Sequence, residues 1–302
     1  MSATITRTLA MPQKDFRASR ALGRRRRFVD QLVRVLCILA TGIGLFFLAS
    51  IMVTLVIRGI PSLDWITLSR EFQPTTYGDD TAPRGGLLHA ILGTLVQSGI
   101  GIVIGTPIGI LVGTYLSEYA RGSRFGDAVR FVSDVLLSAP SVLVGLFVYQ
   151  ILVQPVGGFS GIAGAVALSI LVIPVVVRTT EDMLQLIPNT LREAVVGLGA
   201  PKWKMVTLVC YRAALSGMVT GVLLAFARIA GETAPLLLTS FGNNVTSWNL
   251  FGAMASLPIS IYQQANSGFP DLIQIAWTGA LLVTLGVLAI NVVARILVAR
   301  RK

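Results

Sequence analysis

Residues 135–177 form a run of 43 positions without a single charged side chain. About 20 apolar residues cross the hydrocarbon of a bilayer as a helix, so this run is too long for one crossing and suits two. Its middle carries Gln154-Pro155-Val156-Gly157-Gly158, breakers that divide it into two helices joined by a tight hairpin. Residues 35–57, 90–116 and 272–294 are further uncharged apolar runs, and 213–238 is another that holds two charges. Together they predict an all-α, polytopic membrane protein with six transmembrane helices over 35–302, preceded by a basic segment, 1–34. Composition agrees: 13% of residues are charged, against about a quarter in soluble domains. A water-soluble globular protein is thereby excluded.

Basic residues accumulate on the cytoplasmic side of membrane proteins. Of the 25 Lys and Arg residues, 21 fall before the first span, in 118–134, in 178–212 or after the last span. Only Arg58, Arg70 and Arg84 fall on the opposite side, and Arg228 lies inside a span. Both termini are therefore expected in the cytoplasm, with 58–86 and 239–270 facing outward. The net charge of +11 reads as a topology signal, and Arg24, Arg25, Arg26 and Arg27 are read as contacting anionic membrane lipid. Nucleic acid is not expected as a partner. The 34 residues before the first apolar run lack the form of a cleavable signal peptide.

Gly101, Gly105, Gly109 and Gly113 recur every four residues in the second span, which puts them on one helical face where another backbone can approach. Pro107 and Pro174 are expected to kink their helices. Segment 239–270 is uncharged and holds two prolines and several aromatics, so an outer loop and an interfacial or re-entrant segment both remain open. Cys37 and Cys210 have no metal-ligand neighbours and read as packing residues.

No G-x-x-x-x-G-K-[ST] phosphate loop is present, so any ATP hydrolysis that powers this chain belongs to a partner. Gly158-Phe159-Ser160-Gly161 has the G-x-S-G form found around the nucleophile of rhomboid-type intramembrane proteases. The sole histidine, His89, precedes the serine instead of following it. Those residues are therefore read as a hairpin turn, and His89 as an interfacial residue. In segment 178–212, Thr190-Leu191-Arg192-Glu193 fits a capping box, with Thr190 as N-cap and Glu193 reaching back. Gly199, Ala200 and Pro201 end that short helix. Lys202-Trp203-Lys204 follows as an interfacial shoulder with its ammonium groups in water.

These residues also carry a resemblance. Glu193-Ala194-Val195, followed after three residues by Gly199, matches the start of the EAA loop of binding-protein-dependent ABC importer permeases. Val177-Arg178-Thr179-Thr180-Glu181, the string REAVVGLGAPKWKMV from Arg192, and ARIAGETAPLL from Ala227 resemble the PstA-type permease family of bacterial phosphate importers. Two departures stand out: Val195 replaces the second alanine of EAA, and Tyr211-Arg212 stands where many permeases have Leu-Pro.

The resemblance implies a type I ABC importer (MetI-like) permease fold in the bacterial plasma membrane. It implies a heterodimer with a PstC-type permease, a PstB-type ATPase dimer carrying ATP and Mg, and a periplasmic PstS-type phosphate-binding protein. It also implies that 178–212 is an ATPase-coupling loop, with Glu193, Ala194 and Gly199 as its motif residues. No cofactor, metal or catalytic residue is expected on this chain itself.

Arg228 and Glu232 stand four apart inside the fifth apolar run. An arginine at the centre of a spanning helix costs about 2.5–3.5 kcal/mol on insertion scales, so such residues face a polar pathway or one another. A plain internal salt bridge is one reading. Arg preceding Glu is the less favourable order for that purpose, which points to the other reading, a substrate pathway. Arg178, at the end of the fourth span, is either a topology signal or a second cationic station. The resemblance, whose substrate is an oxyanion, raises both arginines. Phosphate import by alternating access is the expectation. A permease for another oxyanion, an intramembrane serine protease and a passive channel are the alternatives.

Overall fold

The computed structural model describes residues 14–73 and 85–299, and every regular element among them is helical. The remainder, including 1–13 of the basic segment and 74–84 of the expected outward loop, lies outside the described residues. In chain order the helices are α1 (Lys14–Gly59), α2 (Trp65–Ser69), α3 (Leu88–Thr114), α4 (Arg124–Ser138), α5 (Ser141–Val148) and α6 (Gly161–Gln185). They continue with α7 (Asn189–Gly197), α8 (Lys202–Lys204), α9 (Tyr211–Ala230), α10 (Ala234–Thr239), α11 (Leu257–Ala265) and α12 (Pro270–Ala299). Single π-helical turns extend α3 (Tyr115–Tyr119) and α5 (Tyr149–Val153), and a third (Met205–Cys210) joins α8 to α9.

Two compact units divide at Thr54. The first contains most of α1, whose side chains are exposed at every position from Arg25 through Thr54. Its Leu, Ile, Val and Phe side chains are suited to lipid, which solvates them as a protein core would.

In the second unit α6 is the central helix, with most of its length buried. The four glycines of α3 lie against it. A Cβ placed at Gly101, Gly105 or Gly109 would stand 3.1, 2.8 or 2.6 Å from the Cβ of Leu168, Val172 or Val176 respectively. The two backbones approach more closely there than any side chain on α3 would allow. Helix α9 packs antiparallel on another face of α6, where Gly217 meets Met183 and Gly221 meets Thr179. Both α3 and α6 continue through their prolines, Pro107 and Pro174.

Five helices are long and apolar enough to cross a membrane, and a sixth crossing exists only when α4 and the α5 segment are counted together. These two meet at a bend of 103°. The third of the expected spans is thus corrected, because the uncharged run begins in one helix and continues in another. Pro140 disfavours helical backbone at Ala139, which adopts φ −65° and ψ 138°. The 13 residues from Ser141 to Val153 extend about 20 Å at 1.5 Å per residue, short of the roughly 30 Å hydrocarbon.

The fifth span is corrected too. Its helix begins at Lys202 and ends at Ala230, and Ala234–Thr239 is a separate helix. Beyond it, Met254, Ala255, Ser256, Leu257 and Ile259 are buried, so part of 239–270 folds back into the bundle. Polar ties hold it there. Gln97 Nε2 donates to the Ala255 carbonyl at 2.9 Å, and the Leu257 amide donates to Thr94 Oγ1 at 2.7 Å. The amides of Ser160, Gly161 and Ile162 donate to the carbonyls of Thr239, Gly252 and Leu250, so this segment satisfies the otherwise orphaned first turn of α6.

Candidate functional site

Helix α9 ends where Gly231 follows Ala230, and Pro235 then starts α10 without an amide hydrogen of its own. Between them the backbone stays close to a helical turn, with the Glu232 amide donating to the Ile229 carbonyl at 3.2 Å. That keeps the spacing-four relation alive past the helix end. Arg228 Nε stands 3.8 Å from Glu232 Oε1, with the arginine side chain 36% exposed and the carboxylate 17%. The pair therefore does not sit on one continuous helix, as the sequence suggested. It bridges a break between two helices and keeps an open side. Discontinuous helices of this kind supply polar backbone and side chains inside apolar surroundings.

Arg178 lies elsewhere. It projects from the open face of α6 and pairs with Asp182 at 3.6 Å, both side chains 49% exposed. The α6–α9 register, with Thr179 against Gly221 and Met183 against Gly217, puts Arg178 level with residue 222. That is about 9 Å along the axis from Arg228. The two arginines are not brought together.

At the other end of α9 lies the short helix α7. The expected capping box is absent: Pro188 is the N-cap, with φ −60° and ψ 141° and no side-chain cap bond. The helix starts two residues earlier than Thr190 as N-cap would set it, which leaves Glu193 too far along to reach back. Glu193 and Ala194 are exposed. Gly199 closes the helix with φ +79°, a conformation open to glycine, and its amide donates to the Val196 carbonyl at 2.9 Å. Glu193 shares an open cleft with Glu118, Arg121, Arg192, Val196 and Lys202.

Two buried carboxylates at this end escaped the sequence reading. Glu118, in the π turn after α3, accepts from Arg192 Nη2 at 2.8 Å and Nε at 3.3 Å. Glu181 on α6 accepts from Arg130 Nε at 2.8 Å and from Gln185 Nε2 at 2.9 Å. Lys202 stays exposed, as expected of the interfacial shoulder, while its ammonium lies over the Tyr119 ring and donates to the Glu118 carbonyl. The available signal was the placement of Glu118 and Glu181 at the ends of apolar runs, where an acid has little reason to stand without a partner.

His89 is also corrected. It is 3% exposed, packed edge-on to Phe72 in a cavity it shares with Ser260 and Gln264, because α11 folds over it. The Ser160 hydroxyl caps α6 by accepting from the Ala163 amide at 3.2 Å. Neither residue is arranged as a protease pair.

The helical fold of this chain is similar to that of solved ABC importers. The inward-facing MetNI methionine ABC transporter shares it at TM-score 0.60 and 22% identity, covering 72% of this chain and 96% of that one. A bacterial ABC transporter involved in alginate import shares it at TM-score 0.61 and 18% identity, over 93% and 99%. The chain belongs to the binding-protein-dependent transport system inner membrane component family, whose model matches residues 105–302.

Within that family it groups with PstA. The phosphate transport system permease protein PstA of Pasteurella multocida is 50% identical over 90% of this chain and 95% of its own length. The Haemophilus influenzae PstA is 50% identical over 92% and 96%, and PstA 1 of Mycobacterium tuberculosis 38% over 72% of each chain. This is thus a multi-pass membrane permease, one component of an ABC importer whose ATP hydrolysis resides on a separate subunit.

Proposed function

We propose that this chain forms part of the path by which inorganic phosphate enters a bacterial cell through the plasma membrane. The observation that carries the reading is the Arg228–Glu232 pair, held at a helix break with an open side. The relatives named above, called phosphate permeases, support the choice of oxyanion. An arginine presents a planar fork of donors that matches phosphate oxygens and keeps its charge in apolar surroundings. Arg178 is a second cationic station on the same route, nearer the α7 end. Arg228, Glu232 and Arg178 are the pathway residues of this reading.

The chain works as a heterodimer with a PstC-type permease. A PstS-type binding protein delivers phosphate from outside, and a PstB-type ATPase dimer, with ATP and Mg on that partner, drives alternating access. The loop 178–212 docks on the ATPase through the segment bearing Glu193, Ala194 and Gly199. Both termini and this loop face the cytoplasm. The test is reconstitution of the whole assembly in lipid vesicles with ATP inside and loaded binding protein outside. ATP-dependent accumulation of radiolabelled phosphate is expected. Accumulation of sulfate in preference to phosphate would overturn the substrate assignment.

A further inference from the structure

Helix α7 is attached to the bundle in an unusual way. Of its nine residues only Arg192 is buried, and that side chain is held by polar acceptors on all sides. Besides Glu118, its Nη2 donates to the Leu184 carbonyl at 2.6 Å, and its Nη1 to the Ile187 carbonyl and to Asn189 Oδ1. The guanidinium thus joins the end of α6 to the end of α3. An apolar contact can slide, whereas a fork of charge-assisted hydrogen bonds fixes both position and direction.

The receiving end is equally specialised. Glu118 lies in a π turn, where the extra residue per turn breaks the regular bonding, and such turns recur at functional positions. The freed carbonyls there are met by cations from three directions. Arg121 Nε donates to Ser117, Arg130 Nη2 to Leu116 at 3.1 Å, and Lys202 Nζ to Glu118. Helix α3 is in turn packed on α6 along its whole glycine stripe. A push on α7 therefore has a continuous polar route into α3.

We propose that Arg192 and Glu118 form a mechanical latch that transmits movement of α7 to α3, and so set how much substrate moves per ATP hydrolysed. The proposal rests on the reading of α7 as the segment that meets the ATPase. Arg192 and Glu118 are positioning residues and touch no substrate. Losing the carboxylate strands a buried guanidinium, and losing the guanidinium strands a buried carboxylate, so each single change loosens the same joint.

The experiment uses the full assembly, with Arg192→Gln, Glu118→Gln and the conservative Arg192→Lys, each checked for assembly by co-purification. The expected result is that phosphate moved per ATP falls about tenfold, within the usual range of coupling energies, with Arg192→Lys intermediate. Equal falls in uptake and hydrolysis, leaving the ratio unchanged, would overturn the latch. A second measurement does not depend on what the transporter carries. Spin labels at Leu111 and Leu198, both highly exposed, are placed in a Cys37→Ser background. With the latch intact their separation should stay the same on adding ATP, since both ends move together; in Arg192→Gln it should change. If the variant behaves as the parent does, the latch is wrong even where phosphate uptake is normal. If the parent moves no phosphate yet the label result holds, the substrate assignment fails and the latch stands.

Discussion

Arg130 Nε on α4 donates to Oε1 of Glu181 on α6 across 2.8 Å, tying the amphipathic helix to the central one. The same guanidinium also reaches Asp127 at 2.8 Å and the Leu116 carbonyl. Glu181 is 2% exposed, so replacing Arg130 leaves a buried carboxylate with only Gln185. We expect Arg130→Ala to destabilise the detergent-solubilised protein by about 1.5–3 kcal/mol, the range for hydrogen bonds to charged groups, because the arginine end of the pair is only partly buried. Arg130→Met with Glu181→Leu should cost less than the single change. Thermal unfolding followed by tryptophan fluorescence checks the order, and a double variant less stable than the single would show the pair is not what holds α4.

The glycine stripe gives a graded expectation. The clearance for a Cβ tightens from 3.1 Å at Gly101 to 2.8 Å at Gly105 and 2.6 Å at Gly109. Alanine should be tolerated in that same order, with about 1–3 kcal/mol of overpacking at Gly109. Melting temperatures of the three single variants test it. Equal effects at Gly101 and Gly109 would mean that the α3–α6 spacing adjusts freely.

The stripe was legible from spacing alone because a four-residue glycine repeat has one physical use in a membrane helix. Pro140 was equally visible, yet the absence of charge around it hid a helix break. Hydropathy reports what a segment can dissolve in and says nothing about where its axis turns. The Glu118–Arg192 pair lies 74 positions apart and could not be read at all, since an arginine beside a span has a sufficient explanation in topology. Thr190 and Glu193 had capping-box spacing, but spacing does not reveal that Pro188 already occupies the cap position.

Orientation follows from the basic residues. Single cysteines at Arg124 and Val245, both exposed, should react differently with an impermeant thiol reagent in intact cells. Position 245 should be labelled and position 124 only after the membrane is opened, because the positive-inside bias predicts a cytoplasmic α4 side. Labelling of 124 in intact cells would reverse the topology.

At Gly199 the backbone has φ +79°, while a Cβ there would meet nothing within 4 Å. Any side chain thus pays only for the left-handed backbone, about 1–2 kcal/mol, and no clash within the chain. On the proposed reading of this segment as the one that meets the ATPase, Gly199→Leu should assemble and yet lose ATP-driven uptake severalfold. Glu193→Ala should do the same without backbone strain. Unchanged uptake and unchanged stimulated ATP hydrolysis in both variants would remove this segment from the coupling route.

The Arg228–Glu232 pair allows a sharper separation of structure from transport. A pair with 36% and 17% exposure contributes about 0–1 kcal/mol to stability, as partly solvated ion pairs do. Removing it should leave folding intact. Its chemistry favours one ligand: near neutral pH phosphate still carries a proton that Glu232 can accept in a hydrogen bond, whereas sulfate offers none and meets only a like charge. The variant Arg228→Gln with Glu232→Gln should therefore insert, co-purify with its partners and import almost no phosphate. Glu232→Gln alone should lose discrimination, admitting sulfate relative to phosphate more readily than the parent, since the repelling charge is gone while the arginine remains. Competition of sulfate against radiolabelled phosphate uptake in vesicles measures both effects. If the double variant imports phosphate at the parent rate, the pair only holds the helix break together and the pathway lies along other residues.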